Sequence, residues 1–155
     1  MTAPDYSDFS MMELFRVDAE TQLQALDAGL LALERDSASA THLEACMRAA
    51  HSLKGAARIV DLQVGAEVAH AMEDCFVAAQ RGKLSIGREH IDVLLQGADL
   101  LRRIAETPEA EVPEWAGARR MEIDVFLGTW HDVRQGAGGV TQTLTGRARA
   151  EHHPG

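Results

Sequence analysis

Apolar residues recur at three- and four-residue intervals in four successive blocks, the spacing of helices that bury one face. In the first, Leu14, Val17, Leu23, Leu26, Leu30 and Leu31 follow Ser10-Met11-Met12-Glu13, which has the form of a capping box, and together they predict a helix from about Asp8 to Arg35. The polar break Asp36-Ser37-Ala38-Ser39 can cap the second block, which from Thr41 carries Leu43, Cys46, Met47, Ala50, Leu53, Ala57 and Val60. Asp61-Leu62-Gln63 reads as a connector to the third block, in which Val64, Val68, Met72, Cys75, Phe76 and Ala79 are closed by Arg81-Gly82. After a turn over Lys83 to Gly87, the fourth block takes Ile91, Leu94, Leu95, Ala98, Leu101 and Ile104, until Thr107-Pro108 and Pro113 interrupt the chain.

Four amphipathic helices on short connections make antiparallel neighbours, so the expected fold is all-α, an up-and-down four-helix bundle over residues 8–106. A fifth helix is expected in 107–135, from Glu114 to about Arg134, with Trp115, Met121, Val125, Phe126 and Trp130 as its apolar side. Residues 136–155 are rich in Gly, Thr and Arg and too poor in apolar residues to order alone, which reads as a flexible linker or tail. No internal repeat suggests a solenoid.

Composition narrows the function. Twenty-four acidic against 15 basic residues leave a net charge of -9, which repels nucleic acid and anionic lipid. No segment approaches the roughly 18 uncharged apolar residues of a membrane span, and the start of the chain lacks an apolar signal core, so a cytoplasmic domain without direct membrane contact is expected. Cys46 and Cys75 fall inside helical blocks without CxxC spacing, which suits buried, reduced thiols.

One residue of the second helix stands apart from its apolar side. His51 shares a stripe with Glu44, Arg48, Gly55 and Arg58, so its imidazole should reach solvent. Gly55, one turn on, costs roughly 1 kcal/mol in a helix interior relative to Ala. Clearance explains it: a bulky group and a partner's site can then approach the imidazole. Lys54 places an ammonium three positions from His51, where it can attract anionic oxygens. A neutral imidazole is a nucleophile, and a carboxylate that accepts one ring N–H leaves the other nitrogen's lone pair facing outward.

The run Ala50-His51-Ser52-Leu53-Lys54-Gly55-Ala56-Ala57 resembles the H-S-x-K-G-x-A box of the histidine-phosphotransfer domains of chemotaxis-type sensor kinases. A second motif of that family, H-x-M-E, is matched by His70-Ala71-Met72-Glu73, with Glu73 lying 22 residues after His51. Glu13 to Thr21 also looks like the opening helix of such kinases, particularly the Wsp-type hybrid kinases. The resemblance covers about residues 8–106. It implies that His51 accepts the phosphoryl group, that Lys54 assists at the phosphoryl oxygens, that Glu73 orients His51, and that His70 belongs to the surrounding hydrogen-bond network. Ala56, where many relatives have a second Gly, and Arg58, an added positive charge, depart from the pattern on the expected docking face of Arg48, Gly55 and Arg58.

The resemblance further implies a kinase domain of the same parent protein that binds ATP and phosphorylates His51, and receiver domains that hold Mg²⁺ and take the phosphoryl group on an Asp. No cofactor is expected in the domain itself, which carries no phosphate-binding glycine loop and so cannot phosphorylate itself alone. A monomer is expected. A helical docking module without chemistry is the alternative, against which the set of His51, Lys54, Gly55 and Glu73 argues. Glu67-Val68-Ala69-His70 has the E-x-x-H form of di-iron bundles, but the second copy is absent. His152-His153 offer no supporting shell for a metal. Replacing Glu73 with Ala is expected to slow phosphorylation with little loss of fold, as for a boundary carboxylate.

Overall fold

The structure, a computed structural model, describes residues 10–135. The proposed tail, 136–155, lies outside the described residues, as do Asp8 and Phe9 at the expected start of the first helix. Four helices make the bundle: α1 (Met11–Arg35), α2 (Ala40–Ile59), α3 (Gln63–Gln80) and α4 (Arg88–Glu106). They alternate in direction, each packs on the next, and α4 closes the ring against α1. After a 3-10 turn at Glu109–Glu111 come α5 (Val112–Ala118) and α6 (Arg120–Gln135).

Helix starts follow local chemistry. Ser10 Oγ accepts from the Glu13 N–H at 3.1 Å and Ser39 Oγ from the His42 N–H at 3.3 Å, satisfying donors that the first turn leaves free. The ends of α2 and α3 share one device, in which a residue in the left-handed region lets the next N–H reach back five residues. Gly82 (φ 71°) does this for α3, with Lys83 N–H on Ala78 O at 2.9 Å. Asp61 (φ 58°) does it for α2, with Leu62 N–H on Ala57 O at 2.8 Å. The tight reversal at Asp61 brings α2 and α3 side by side, so residues equally far from it in sequence face one another.

The stripe of α1 that enters the core differs from the expected one. Leu23, Leu26 and Leu30 are buried, but Met12, Phe15, Ala19 and Leu33 complete the line, while Val17 and Leu31 are exposed and Leu14 is half-buried. The expected set mixed two adjacent stripes, and the neighbouring helices selected one. Helix α1 is also pinned by charge: the Arg16 guanidinium donates to Ala105 O (2.7 Å) and Thr107 O (2.9 Å), serving the free carbonyls at the end of α4, and Arg102 reaches Asp27 at 2.6 Å.

The fifth helix is corrected more substantially. Pro113, expected just ahead of the fifth helix, sits in the first turn of α5, where a missing N–H costs nothing. The chain then leaves helical geometry at Arg119, two residues after Gly117, so that 114–134 forms two helices rather than one. The break resets the apolar phase. Met121 and Val125 are exposed, whereas Ile123, Phe126 and Trp130 are buried, and α6 packs along α3 and against α4.

Close approach at that interface depends on Gly97 of α4, where a Cβ would lie 2.6 Å from Phe126 Cζ and 2.8 Å from Met72 Sδ. Trp130 meets Phe126 edge-on at 6.2 Å and stacks near His90 at 6.4 Å. Cys46 and Cys75 are free and buried, and burial pushes the Cys46 thiol up to about 12 and raises that of Cys75 as well, so both are unreactive packing groups.

Candidate functional site

Helices α2 and α3 hold the candidate site between them. His51 lies on α2 and Glu73 on α3, each about ten residues, or three helical turns, from the reversal at Asp61, and this places them at one level of the bundle. Leu53 and Ala50 bury the opposite side of α2, and Met72 and Cys75 that of α3, so each helix is clamped in rotation by its core residues.

The His51 side chain is 64% exposed, and its Nδ1 lies 2.5 Å from Glu73 Oε2. The other carboxylate oxygen, Oε1, accepts from Lys54 Nζ at 2.5 Å. Burial pushes the Glu73 carboxyl upward, but the hydrogen bonds from Lys54 and then His51, with the attraction of the same two groups, outweigh it and leave a net lowering. Glu73 is therefore an ionised acceptor at neutral pH. An acceptor-only carboxylate requires the proton on Nδ1, which leaves the Nε2 lone pair as the free nucleophile on an exposed ring.

Lys54 differs in environment from its expected place beside the imidazole. Its side chain is only 14% exposed and its ammonium is engaged by Glu73, itself 12% exposed. One of three N–H donors is used there, which leaves others for an incoming anion. The two charges form a nearly buried pair, and Glu73 is not the boundary carboxylate assumed from sequence. Because Glu73→Ala would leave an ammonium of low exposure without its partner, a cost in stability is expected instead of the small loss foreseen from sequence.

His70 is placed elsewhere. Its Nε2 is 3.5 Å from Asp74 Oδ1, one turn along α3, and its ring lines a hollow of about 300 Å³ together with Arg58, Asp61 and Glu67. That geometry groups it with the Asp61 end of the α2–α3 face rather than with Glu73. Asp74 was not singled out in the sequence, although the i, i+4 spacing from His70 was a usable signal.

Among the residues expected to face a partner, Arg48 is exposed and engages Glu44 on its own helix at 2.9 Å, and Arg58 is exposed without a close acid on α2 to hold it. At Gly55 a Cβ would meet nothing within 4 Å. Packing among the described residues therefore does not require a glycine there. Among the described residues, no group of three or more His, Cys, Asp or Glu side chains is placed to hold a metal, and no helix is long and apolar enough to cross a membrane.

Comparison with known proteins bears on this geometry. The model of the Hpt domain family matches residues 10–106. The chain is similar to the chemotaxis protein CheA of Treponema pallidum, with 30% identity over 110 residues that cover 69% of this chain and 14% of that protein. It is similar also to CheA of Salmonella typhimurium (33% over 98 residues; 63% and 14%) and to the gliding motility regulatory protein of Myxococcus xanthus (33% over 97 residues; 63% and 12%). The chain thus spans 12% to 14% of the length of these relatives. Among solved structures it resembles the phosphorylated P1 domain of CheA3, in complex with CheY6, from R. sphaeroides. That likeness has a TM-score of 0.65 and 25% identity, and covers 77% of this chain and 94% of that one.

Proposed function

The chain belongs to the Hpt domain family, and on that premise we propose that it is a phosphoryl carrier of a chemotaxis-type kinase with His51 as the acceptor. The Nε2 lone pair attacks the γ-phosphorus of ATP held by the kinase domain of the parent protein, the bond to the ADP oxygen breaks, and an N–P bond forms. In the second step an Asp carboxylate of a receiver domain, with its Mg²⁺, attacks the same phosphorus, and the N–P bond breaks to return the imidazole. The domain supplies position and electrostatics, and its partners supply ATP, Mg²⁺ and the acceptor carboxylate. Its dependence on ATP supports a cytoplasmic location for the domain.

The observation that carries this reading is the exposed His51 ring with its Nδ1 on Glu73 Oε2 at 2.5 Å. Glu73 holds the tautomer and stabilises the charge that develops on the ring as Nε2 is phosphorylated. Lys54 holds the second oxygen of Glu73 and offers its remaining N–H groups to the phosphoryl oxygens. Arg48, Gly55 and Arg58 belong to the docking face, and the likeness to a P1 domain in complex with CheY6 supports a receiver as its occupant. His70, paired with Asp74, acts on that face rather than on His51.

Incubation with the ATP-binding core of a chemotaxis-type kinase and labelled ATP tests the proposal. An acid-labile label is expected on the wild type, absent from His51→Gln, and removed by adding a cognate receiver. No label on the wild type, with kinase and chain still in complex, would instead support a docking module without chemistry.

A further inference from the structure

Three helices converge at one point behind the site. The space above Gly97 of α4 is filled by Phe126 of α6 and Met72 of α3, at 2.6 and 2.8 Å from where its Cβ would be. Met72 is fully buried and directly precedes Glu73. Successive residues on a helix turn by about 100°, so one side chain points into the α4–α6 wall while the next reaches toward α2. The rotation of α3 that seats Met72 is the rotation that aims Glu73.

Magnitudes show how tight this link is. Side chains at a helix surface lie at a radius of about 5–6 Å, so a turn of roughly 10° about the axis moves them by about 1 Å. Added to the 2.5 Å between Nδ1 and Oε2, that displacement reaches the limit of a hydrogen bond. Core residues of α3 facing α2 and α4 restrict the turn, and α6, which packs on α3 more extensively than α4 does, closes a further side.

We propose that Phe126 is a positioning residue for the chemistry at His51: through Met72 it sets the rotation of α3 and keeps Glu73 on Nδ1. The inference rests on reading His51 as the phosphoryl acceptor. It extends the working unit beyond residues 10–106, the span that the family model matches, to a helix outside it.

The test reads the tautomer of His51 by long-range ¹H–¹⁵N NMR in the whole chain. Phe126→Leu is compared with Phe15→Leu, a core reduction of the same size on α1, and urea midpoints establish that both are folded. The wild type should show the Nδ1–H pattern, Phe126→Leu a shift towards the Nε2–H pattern, and Phe15→Leu no shift. Should Phe126→Leu fail to fold, Phe126→Met, whose unbranched side chain adapts to an irregular gap, takes its place with the same expectation. An unchanged tautomer in the folded Phe126 variant, or an equal shift in Phe15→Leu, would overturn the proposal. A tautomer shift in a chain whose wild type takes no phosphoryl group would sustain the geometric link and sink the functional reading.

Discussion

The two sides of α3 are held by different forces. Towards α2 it presents Glu73, bound through two hydrogen bonds to a solvent-facing imidazole and a nearly buried ammonium. Towards α6 and α4 it presents Met72 to Phe126 and Gly97, within a wall that Ile123 and Trp130 extend. Hydrogen bonds to an ionised carboxylate are directional and contribute about 1.5–3 kcal/mol each net, and full burial of one large apolar side chain contributes roughly the same with little demand on angle, but the packed side buries several such side chains. Stability is thus concentrated on the side without reactive groups. The side with chemistry keeps its geometry because the other side is packed.

The largest expected effect comes from breaking the packed side. Phe126→Ala should cost about 3–5 kcal/mol, seen as a lower urea midpoint by circular dichroism, because it opens a cavity where three helices meet. An effect below 1 kcal/mol would show that α6 is only loosely docked.

Glu73→Ala acts on the polar side and should do two things at once. It slows phosphorylation of His51 on the order of 10²-fold, by releasing the ring tautomer, and destabilises by about 1–3 kcal/mol, by leaving Lys54 unpaired at low exposure. The double variant Lys54→Met/Glu73→Leu sharpens the comparison, since apolar replacement of both partners should restore stability but not the rate. The carboxyl of Glu73 is lowered below 4.5 in the folded chain, so its contribution is present above pH 4.5 and is lost as pH falls through the folded value. Acid titration of the wild type should therefore show a loss of stability below pH 4.5 that Glu73→Gln reduces.

Gly55→Ala separates stability from docking in the opposite sense. With open space around its Cβ, the variant should gain roughly 1 kcal/mol in thermal unfolding from helix propensity. Transfer to a receiver should slow if the missing side chain serves a partner's approach, and equal transfer rates would remove that role.

The smallest effect is expected at His90, where the Gly87 N–H donates to Nδ1 at 2.8 Å and the ring lies against Trp130. Burial lowers its pKa from 6.5, against the smaller opposing influence of Glu89. The neutral ring is favoured in the folded state, so stability is full above pH 6.5 and declines as pH falls below it. Melting temperatures should dip over that range in the wild type and stay flatter in His90→Gln.

Much of the fold was legible because its signals are local. Four helices, their capping serines and the closing Gly82 follow from spacing within one turn or two, and His51, Lys54 and Gly55 share a single helix whose apolar side is plain. Glu73 came from the second motif, and its hydrogen bond to His51 follows once α2 and α3 lie antiparallel about Asp61. What misled was phase. Leu14 and Val17 had spacing as good as Met12 and Phe15, and Met121 as good as Ile123, but periodicity says only that a helix has an apolar side, not which of two adjacent stripes a neighbour will cover.

By itself, then, the order of residues determined the helices, their number in the bundle and the exposed histidine, since each depends on interactions within a few positions of chain. Tertiary structure alone decided that Lys54 turns to Glu73 and that Phe126 and Trp130 of α6 wall off α3. Those outcomes depend on which atoms lie opposite across a gap of a few ångströms, and residues far apart in the chain meet there only after the helices have packed.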